Sequence, residues 1–190
     1  QELHKYYDSG KYMQEIAKVA EEANRYINDE NTKNQKSSNP KKLAIVLDID
    51  ETSLSYYENF AKRQFHYHPK AAKEEILTSN APAIEPILKL YQNAIKNKIS
   101  VFFITAGRSY AHQATKHNLN VAGYKNYAGL YTRPTKYKKH SIQEFKSATR
   151  AKLEEQGYTI IASIGDQTSD LEGGHAQKTF KIPNPFYYIS

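Results

Sequence analysis

Two carboxylates one residue apart, Asp48 and Asp50, close the apolar run Leu43-Ala44-Ile45-Val46-Leu47. Apolar residues ending in acids read as a buried parallel strand whose C-terminal end delivers charge into a crevice. Open α/β sheets bind ligands at that end, and a period of two puts both side chains on one side of the strand. Burying neighbouring carboxylates raises at least one pKa unless a cation compensates. A metal-assisted phosphoryl-transfer site meets that need, with one Asp as covalent nucleophile and its neighbour as proton carrier. The competing reading is an acidic helix cap, because Asp-x-Asp-Glu-Thr is also a helix start.

Other strand ends bear on that choice. Ile99 to Thr105 reads as a second buried strand, with Gly107 and Arg108 just beyond it, and Thr159 to Ile164 runs into Gly165-Asp166-Gln167-Thr168-Ser169-Asp170. A sheet built only for packing has no reason to place carboxylates after two separate apolar strands. Bringing several acids to one edge is costly without a divalent cation, and oxygen ligands select a hard ion such as Mg²⁺. Thr105, before a glycine turn, can hydrogen-bond a phosphoryl oxygen beside backbone N–H groups; alone it is a plain turn residue. Lys146 places an ammonium near the start of the helix before strand four, where it could offset phosphoryl charge. Lys136, Lys138 and Lys139 are its rivals.

The elements that must position these groups follow from periodicity and breakers. Residues 2–30 show helical spacing, with Tyr6, Tyr7, Met13, Ile16, Ala17, Ala20, Ala23 and Ile27 as an apolar stripe broken near Gly10. Asn31 to Lys42 is polar and reads as a linker. After the first strand, 43–48, the aromatics Tyr56, Tyr57, Phe60, Phe65 and Tyr67 cluster ahead of a short helical stretch from Pro69 to Leu77. Helices are expected at Pro86–Asn97, from Tyr110 to Asn118, and at Ser141–Gln156, the last stopped by Gly157. A third strand is expected at Gly129–Thr132 and a fifth at Thr179–Ile182. Strands alternating with helices give a parallel, doubly wound α/β sheet.

Composition narrows the class. A chain of 190 residues holds one domain with an appendage. Mean hydropathy is −0.78, yet 16 Tyr and 7 Phe supply bulky surface to bury. No run approaches the roughly 20 apolar residues of a membrane span. The formal charge of +7 favours anionic partners, although the lysines are scattered and read mostly as solvated faces. With no cysteine there is neither a disulfide nor a zinc-thiolate site. The first residue is Gln1 rather than Met and no signal peptide is visible, which reads as a processed or trimmed chain.

The ordered set LAIVLDIDET, VFFITAGR, Lys146 in EFKSATRAKLEEQGY, and IGDQTSDL resembles the haloacid dehalogenase superfamily of aspartyl-phosphate phosphatases. Within it, the resemblance is to the branch of bacterial class C acid phosphatases and plant acid phosphatases with their vegetative storage relatives. It spans most of the chain, taking in YYDSGKY, APAIEPILKLYQNA and the tail FKIPNPFYYI. The resemblance implies a Rossmann-like core at 43–52 and 86–190, with a small, mainly helical cap formed by 1–42 and an insertion at 53–85.

It also implies roles. Asp48 would attack phosphorus and become the aspartyl phosphate, and Asp50 would protonate the leaving oxygen and then activate water. Thr105 and Lys146 would hold the phosphoryl group. Asp48, Asp50 through its backbone carbonyl, Asp166 and Asp170 would make the Mg²⁺ site. Some storage relatives have lost the nucleophile; this chain keeps Asp48. The implied protein is an extracytoplasmic, Mg²⁺-dependent acid phosphatase acting on phosphate monoesters, nucleoside monophosphates among them. No stable nucleic-acid partner is expected, and a homodimer is compatible. The alternative is a non-catalytic storage or ligand-binding protein on the same scaffold.

The chain departs from the family pattern twice. Thr105 is followed by Ala106-Gly107-Arg108, where relatives run Thr-Gly-Arg without the extra residue. Tyr56-Tyr57-Glu58-Asn59 stands where relatives carry Asn, a variable residue and Pro-Tyr. Tyr56, Tyr57 and Phe60 could form a stacking platform for a base or aryl group, against the plainer reading of aromatic core. His66 and His68 could pair on a metal but lack matching thiolates or acids. His175 reads as a fringe or capping residue, and Arg108 as an anion guide or a salt-bridge partner.

Overall fold

The computed structural model describes residues 2–57, 70 and 81–186. Its centre is a parallel sheet of β1 (Lys42–Leu47), β2 (Ser100–Arg108), β3 (Gly129–Arg133), β4 (Tyr158–Gly165) and β5 (Lys178–Lys181). The spatial order is β3-β2-β1-β4-β5. Successive strands step outward from β1 on one side, then return to start again at β4. That reversal opens a crevice beyond the carboxyl ends of β1 and β4. Asp48 and Asp166 follow those two strands directly.

After Lys42, β1 reads as an unbroken apolar run, as does the 101–104 part of β2, because both faces of the sheet are covered there. Ile45 and Leu47 point into one core with Val101, Phe103 and Ile164, while Ala44 and Val46 point into the other with Phe102, Ile104, Phe145 and Ile160. The first face is covered by α2 (Lys11–Lys36) and α3 (Glu85–Lys96), the second by α5 (Ile142–Glu155). The remaining described helices are α1 (Glu2–Asp8), α4 (His112–Ala122) and the single turn α6 (Thr168–Leu171).

Gly10, at φ +81°, breaks the N-terminal stretch into α1 and α2 as expected. The N-terminal segment expected as part of the cap buries Tyr12, Ile16, Ala20, Ala23 and Ile27 against the same core as the sheet. Each large apolar side chain buried there stabilises the fold by about 1.5–3 kcal/mol. Met13, Tyr6 and Tyr7 are half-buried and Ala17 is exposed. The linker expected from Asn31 begins later, because α2 continues to Lys36. Amide pairs hold that polar end: Asn93 donates to Asn24 and Asn28, and Asn34 exchanges hydrogen bonds with the backbone of Lys41.

The insertion leaves and re-enters the core at one place. Ser55 N–H donates to Pro82 O, and Ile84 N–H donates to Ser53 O, each at 2.9 Å. Phe60, Phe65, His66, Tyr67, His68 and most of the expected helix from Pro69 to Leu77 lie outside the described residues. Among the described residues, no helix is long and apolar enough to cross a membrane.

Candidate active site

The loop after β1 is built around one carbonyl. Asp48 N–H donates to Ile164 O at 3.0 Å, extending the ladder one residue past the strand. Ile49 then turns into the core, and its carbonyl accepts from Thr52, Ser53 and Leu54 N–H. The chain therefore reverses immediately, which fixes the two flanking acids. Glu51 takes a left-handed conformation, φ +55°, uncommon for a side chain of its kind. Its buried carboxyl accepts from Tyr56 N–H at 2.6 Å and from the Ser55 hydroxyl at 3.1 Å. Burial pushes Glu51 up to about 8, so this acid braces the loop.

Three of the expected acids meet. Carboxylate oxygens of Asp48, Asp166 and Asp170 lie within 4.8 Å of one another, all buried. Lys146 enters this group from α5, donating to Asp48 Oδ1 at 3.1 Å and to Asp170 Oδ1. Burial opposes its charge, but Asp170 and Asp48 outweigh that and hold the ammonium above its usual range. Burial pushes Asp48 up to about 7, with Lys146 working against it and Asp166 adding to it. Burial and the Asp48 charge push Asp50 to about 7 as well. Asp50 is partly exposed, and its carboxylate lies outside the triad.

Neighbouring groups aim these acids. Asp166 accepts from Thr52 Oγ1 at 3.0 Å, Gln167 Nε2 at 2.8 Å and Asn184 Nδ2 at 2.7 Å. Asp170 and Gln167 form a reciprocal capping box at the start of α6. Gly165 is required by space: a Cβ there would lie 2.2 Å from the Asp170 carboxyl. Arg150, one turn beyond Lys146, is 1% exposed. It donates to the carbonyls of Ser169 (3.3 Å), Glu172 (2.6 Å) and Gly174 (3.0 Å), clamping the loop that carries Asp170.

Thr105 is buried, and its hydroxyl accepts from Gly107 N–H at 3.1 Å. The residues after it form a bulge: Ile104 pairs with Tyr131 and Arg108 with Arg133, so β2 spends more residues than β3 over that stretch. The departure at Ala106 is thus absorbed within the strand end. Arg133 Nε holds the bulge from the neighbouring strand, donating to Ala106 O at 2.8 Å. Arg108 donates to Tyr137 O at 2.8 Å, a carbonyl in place of the carboxylate expected for a salt bridge.

The remaining candidates differ in burial and partners. Among the four lysines considered, Lys146 is the buried one; Lys136, Lys138 and Lys139 are exposed. Tyr57 is buried with its ring stacked on Tyr7, centroids 3.4 Å apart and planes within 5°. Tyr56 is buried and its hydroxyl accepts from Asn118 Nδ2 at 3.3 Å. Phe60, His66 and His68 are not among the described residues. His175, at φ +65°, sits 2.6 Å from Glu154 near the end of α5. Sequence reasoning missed Thr52, Gln167 and Asn184 around Asp166, as well as Arg150. Thr52 and Gln167 adjoin the acidic motifs, and Arg150 follows Lys146 at the one-turn spacing; Asn184 gave no signal.

The donor set fits a hard divalent cation. Three converging carboxylates supply oxygen only, the chemistry that Mg²⁺ prefers. The raised carboxyls indicate a site short of positive charge, since one buried ammonium serves several acids.

Comparison with known proteins identifies the family. A family model described as the HAD superfamily, subfamily IIIB (acid phosphatase), matches residues 1–190. The stem 28 kDa glycoprotein of Glycine max is 37% identical over 155 residues, covering 78% of this chain and 61% of that protein. Acid phosphatase 1 of Solanum lycopersicum is 33% identical over 183 residues, covering 94% of this chain and 69% of that protein. The chain thus spans about three fifths of the soybean protein's length. The class C acid phosphatase from Bacillus anthracis has the same fold: TM-score 0.79 at 19% identity, over 97% of this chain and 82% of that one. Its tungstate-bound structure superposes with a TM-score of 0.81. A parallel sheet carrying acids beyond β1 and β4, a lysine reaching the first of them, and a family match along the whole length make this chain a member of the HAD superfamily, subfamily IIIB, the acid phosphatases.

Proposed function

We propose that the protein is a Mg²⁺-dependent acid phosphatase that hydrolyses phosphate monoesters through an aspartyl phosphate on Asp48. The observation that carries this reading is the contact of Lys146 with both Asp48 and Asp170, beside Asp166. A buried lysine shared between two acids from different strand ends has no packing purpose, and it costs desolvation to keep.

Asp48, Asp166 and Asp170, with the Asp50 carbonyl, would hold the cation. When bound, it offsets phosphoryl charge and keeps Asp48 ionised. Asp48 Oδ attacks phosphorus while the ester oxygen leaves opposite it. Asp50, the partly exposed acid on the same side of the strand, gives the leaving oxygen a proton and then takes one from the attacking water. Its raised pKa, about 7, keeps that proton available at acidic pH. Lys146 Nζ and Thr105 Oγ1 hold the phosphoryl oxygens. A structural neighbour binds tungstate, an oxyanion of comparable charge and shape, which supports an oxyanion site here.

Nucleoside monophosphates are among the proposed substrates, with Tyr56, Tyr57 and Phe60 as the segment that shapes the entrance. Relatives named as stem glycoproteins support an extracytoplasmic location. The test is a phosphate-release screen over nucleoside, sugar and aryl phosphates at acidic pH, with Mg²⁺ and with EDTA. Release that depends on Mg²⁺ and disappears in Asp48→Asn is expected. No release from any ester by Mg²⁺-loaded protein would favour the storage reading.

A further inference from the structure

Between Glu85 and Glu144 the chain carries ten Lys and Arg and not one Asp or Glu. The whole chain has a formal charge of only +7, so the rest of the molecule is net acidic. The acid-free segment runs from α3 through β2, α4 and β3 to the start of α5. Its densest part, Arg133 to His140, leaves the carboxyl end of β3, the same sheet edge that carries Asp48, Thr105 and Asp166.

That stretch is pinned to the phosphoryl-binding groups on both sides. Tyr137 O accepts from Arg108 at 2.8 Å and from Arg133 at 3.2 Å, and Arg133 also holds Ala106 O, next to Thr105. The Tyr137 ring packs on Phe145, centroids 5.4 Å apart, immediately before Lys146. Tyr137 therefore links the Thr105 bulge to Phe145, the residue before Lys146. Its neighbours Lys136 and Lys138 are exposed on either side of it, with Lys139 and His140 following, also exposed.

We propose that this rim is a second anion subsite, which selects phosphate monoesters carrying a further phosphate group. The inference rests on the phosphatase reading and narrows its substrate class. Inside the crevice, Asp48, Asp50, Asp166 and Asp170 face one ammonium. A single-sign rim beside a low-dielectric cleft focuses attraction on an anion at its mouth. A second phosphate on the same molecule reaches the rim lysines while the first sits between Lys146 and Thr105. Exposed contacts of this kind weaken with salt, whose screening length is about 10 Å at 0.1 M.

The test compares kcat/KM for fructose bisphosphate and fructose monophosphate in the wild type and in Lys136→Gln/Lys138→Gln/Lys139→Gln. A control, Lys96→Gln/Lys98→Gln/Lys125→Gln, removes three exposed charges from the opposite end of the strands. The wild type should favour the bisphosphate by about tenfold, mostly through KM, and the preference should shrink with added salt. The rim variant should bring the ratio close to one, and the control should keep it. An equal ratio in wild type and rim variant, or an equal loss in the control, overturns the subsite. If neither ester is hydrolysed, the phosphatase reading is decided separately by the wider screen of nucleoside, sugar and aryl phosphates. The subsite then stands or falls on calorimetric titration of the two esters: the wild type must bind the bisphosphate more tightly, and the rim variant must not.

Discussion

Lys146 Nζ lies 3.1 Å from Asp48 Oδ1, although the two residues are 98 apart in the chain, and both are almost wholly buried. Neither charge has another reason to be there. Breaking a buried pair by removing one partner typically costs about 3–5 kcal/mol, because the other charge is left uncompensated. Lys146→Met leaves both Asp48 and Asp170 in that position. Urea unfolding should shift to clearly lower denaturant, and phosphate release should drop by at least about a hundredfold, or ~2.7 kcal/mol of barrier. Wild-type turnover in Lys146→Met would remove this lysine from the mechanism.

Asp48→Asn should act in the opposite direction on stability. The substitution keeps the size of the side chain but relieves a carboxyl that burial has pushed up to about 7. Turnover should fall by at least roughly a thousandfold, about 4 kcal/mol of barrier. The metal-free variant should melt no lower than the metal-free wild type near neutral pH. Differential scanning calorimetry beside a phosphate-release assay separates the two effects. A large drop in melting temperature would mean that Asp48 supports the fold more than the chemistry.

Asp170 owes its position to two residues outside the reacting set. Gly165→Ala would place a methyl 2.2 Å from the Asp170 carboxyl. Arg150→Met would release three carbonyls of the 169–174 loop. Both should weaken Mg²⁺ binding measured by calorimetry, each by about tenfold or more, the usual scale for supports of metal ligands. Arg150→Lys should recover only part of the loss, since a compact ammonium cannot span three carbonyls spaced around a planar guanidinium. Unchanged Mg²⁺ affinity in both variants would show that the loop holds its shape without them.

Stability without metal should fall as pH rises. Asp48, Asp50 and Asp170 are each pushed from 3.8 to about 7, and Glu51 to about 8, burial being the largest cause in every case. Between about pH 4 and pH 8 the folded state therefore holds more protons than the unfolded chain, and linkage lowers its stability as those protons leave. A bound Mg²⁺ would replace them, so the loss should be smaller in its presence. Melting temperatures across that range, with Mg²⁺ and with EDTA, read both trends directly. A metal-free protein that gains stability from pH 5 to pH 8 would contradict the burial of these acids.

The legible part of this molecule is the part written in local pattern. The runs ending at Leu47 and Ile164 announce buried parallel strands because covered sheets are mostly apolar, and a left-handed Gly10 sits where the helical stripe loses its phase. Asp48, Asp166 and Asp170 were legible because acids that follow apolar strands must gather at one edge. Partners that arrive from distant chain segments left no local trace. Asn184 reaches Asp166 from beyond β5, and Tyr12 enters the core outside the stripe read from the sequence. The bulge after Thr105 was visible only as an extra residue; that Arg133 would hold it depends on strand pairing.

Asp50 can be separated from Asp48 by the leaving group. Ile49 points into the core, so the two acids share the opposite side of the chain, yet Asp50 is partly exposed and stands outside the carboxylate triad. That placement suits an acid that meets the ester oxygen better than one that meets phosphorus. Protonation matters most when the leaving oxygen is a poor one, and contributes about a hundredfold to ten-thousandfold in such cases. Asp50→Asn should therefore cost far more with a sugar or nucleoside phosphate than with an aryl phosphate whose phenolate departs unaided. The second duty proposed for it, taking a proton from the attacking water, would also slow, so phosphorylated Asp48 should accumulate with the aryl ester. Rapid-quench mass spectrometry on that ester reads the adduct, and paired kcat values read the leaving-group dependence. Equal losses on both esters with no adduct on Asp48 would assign the Asp50 side chain to positioning alone.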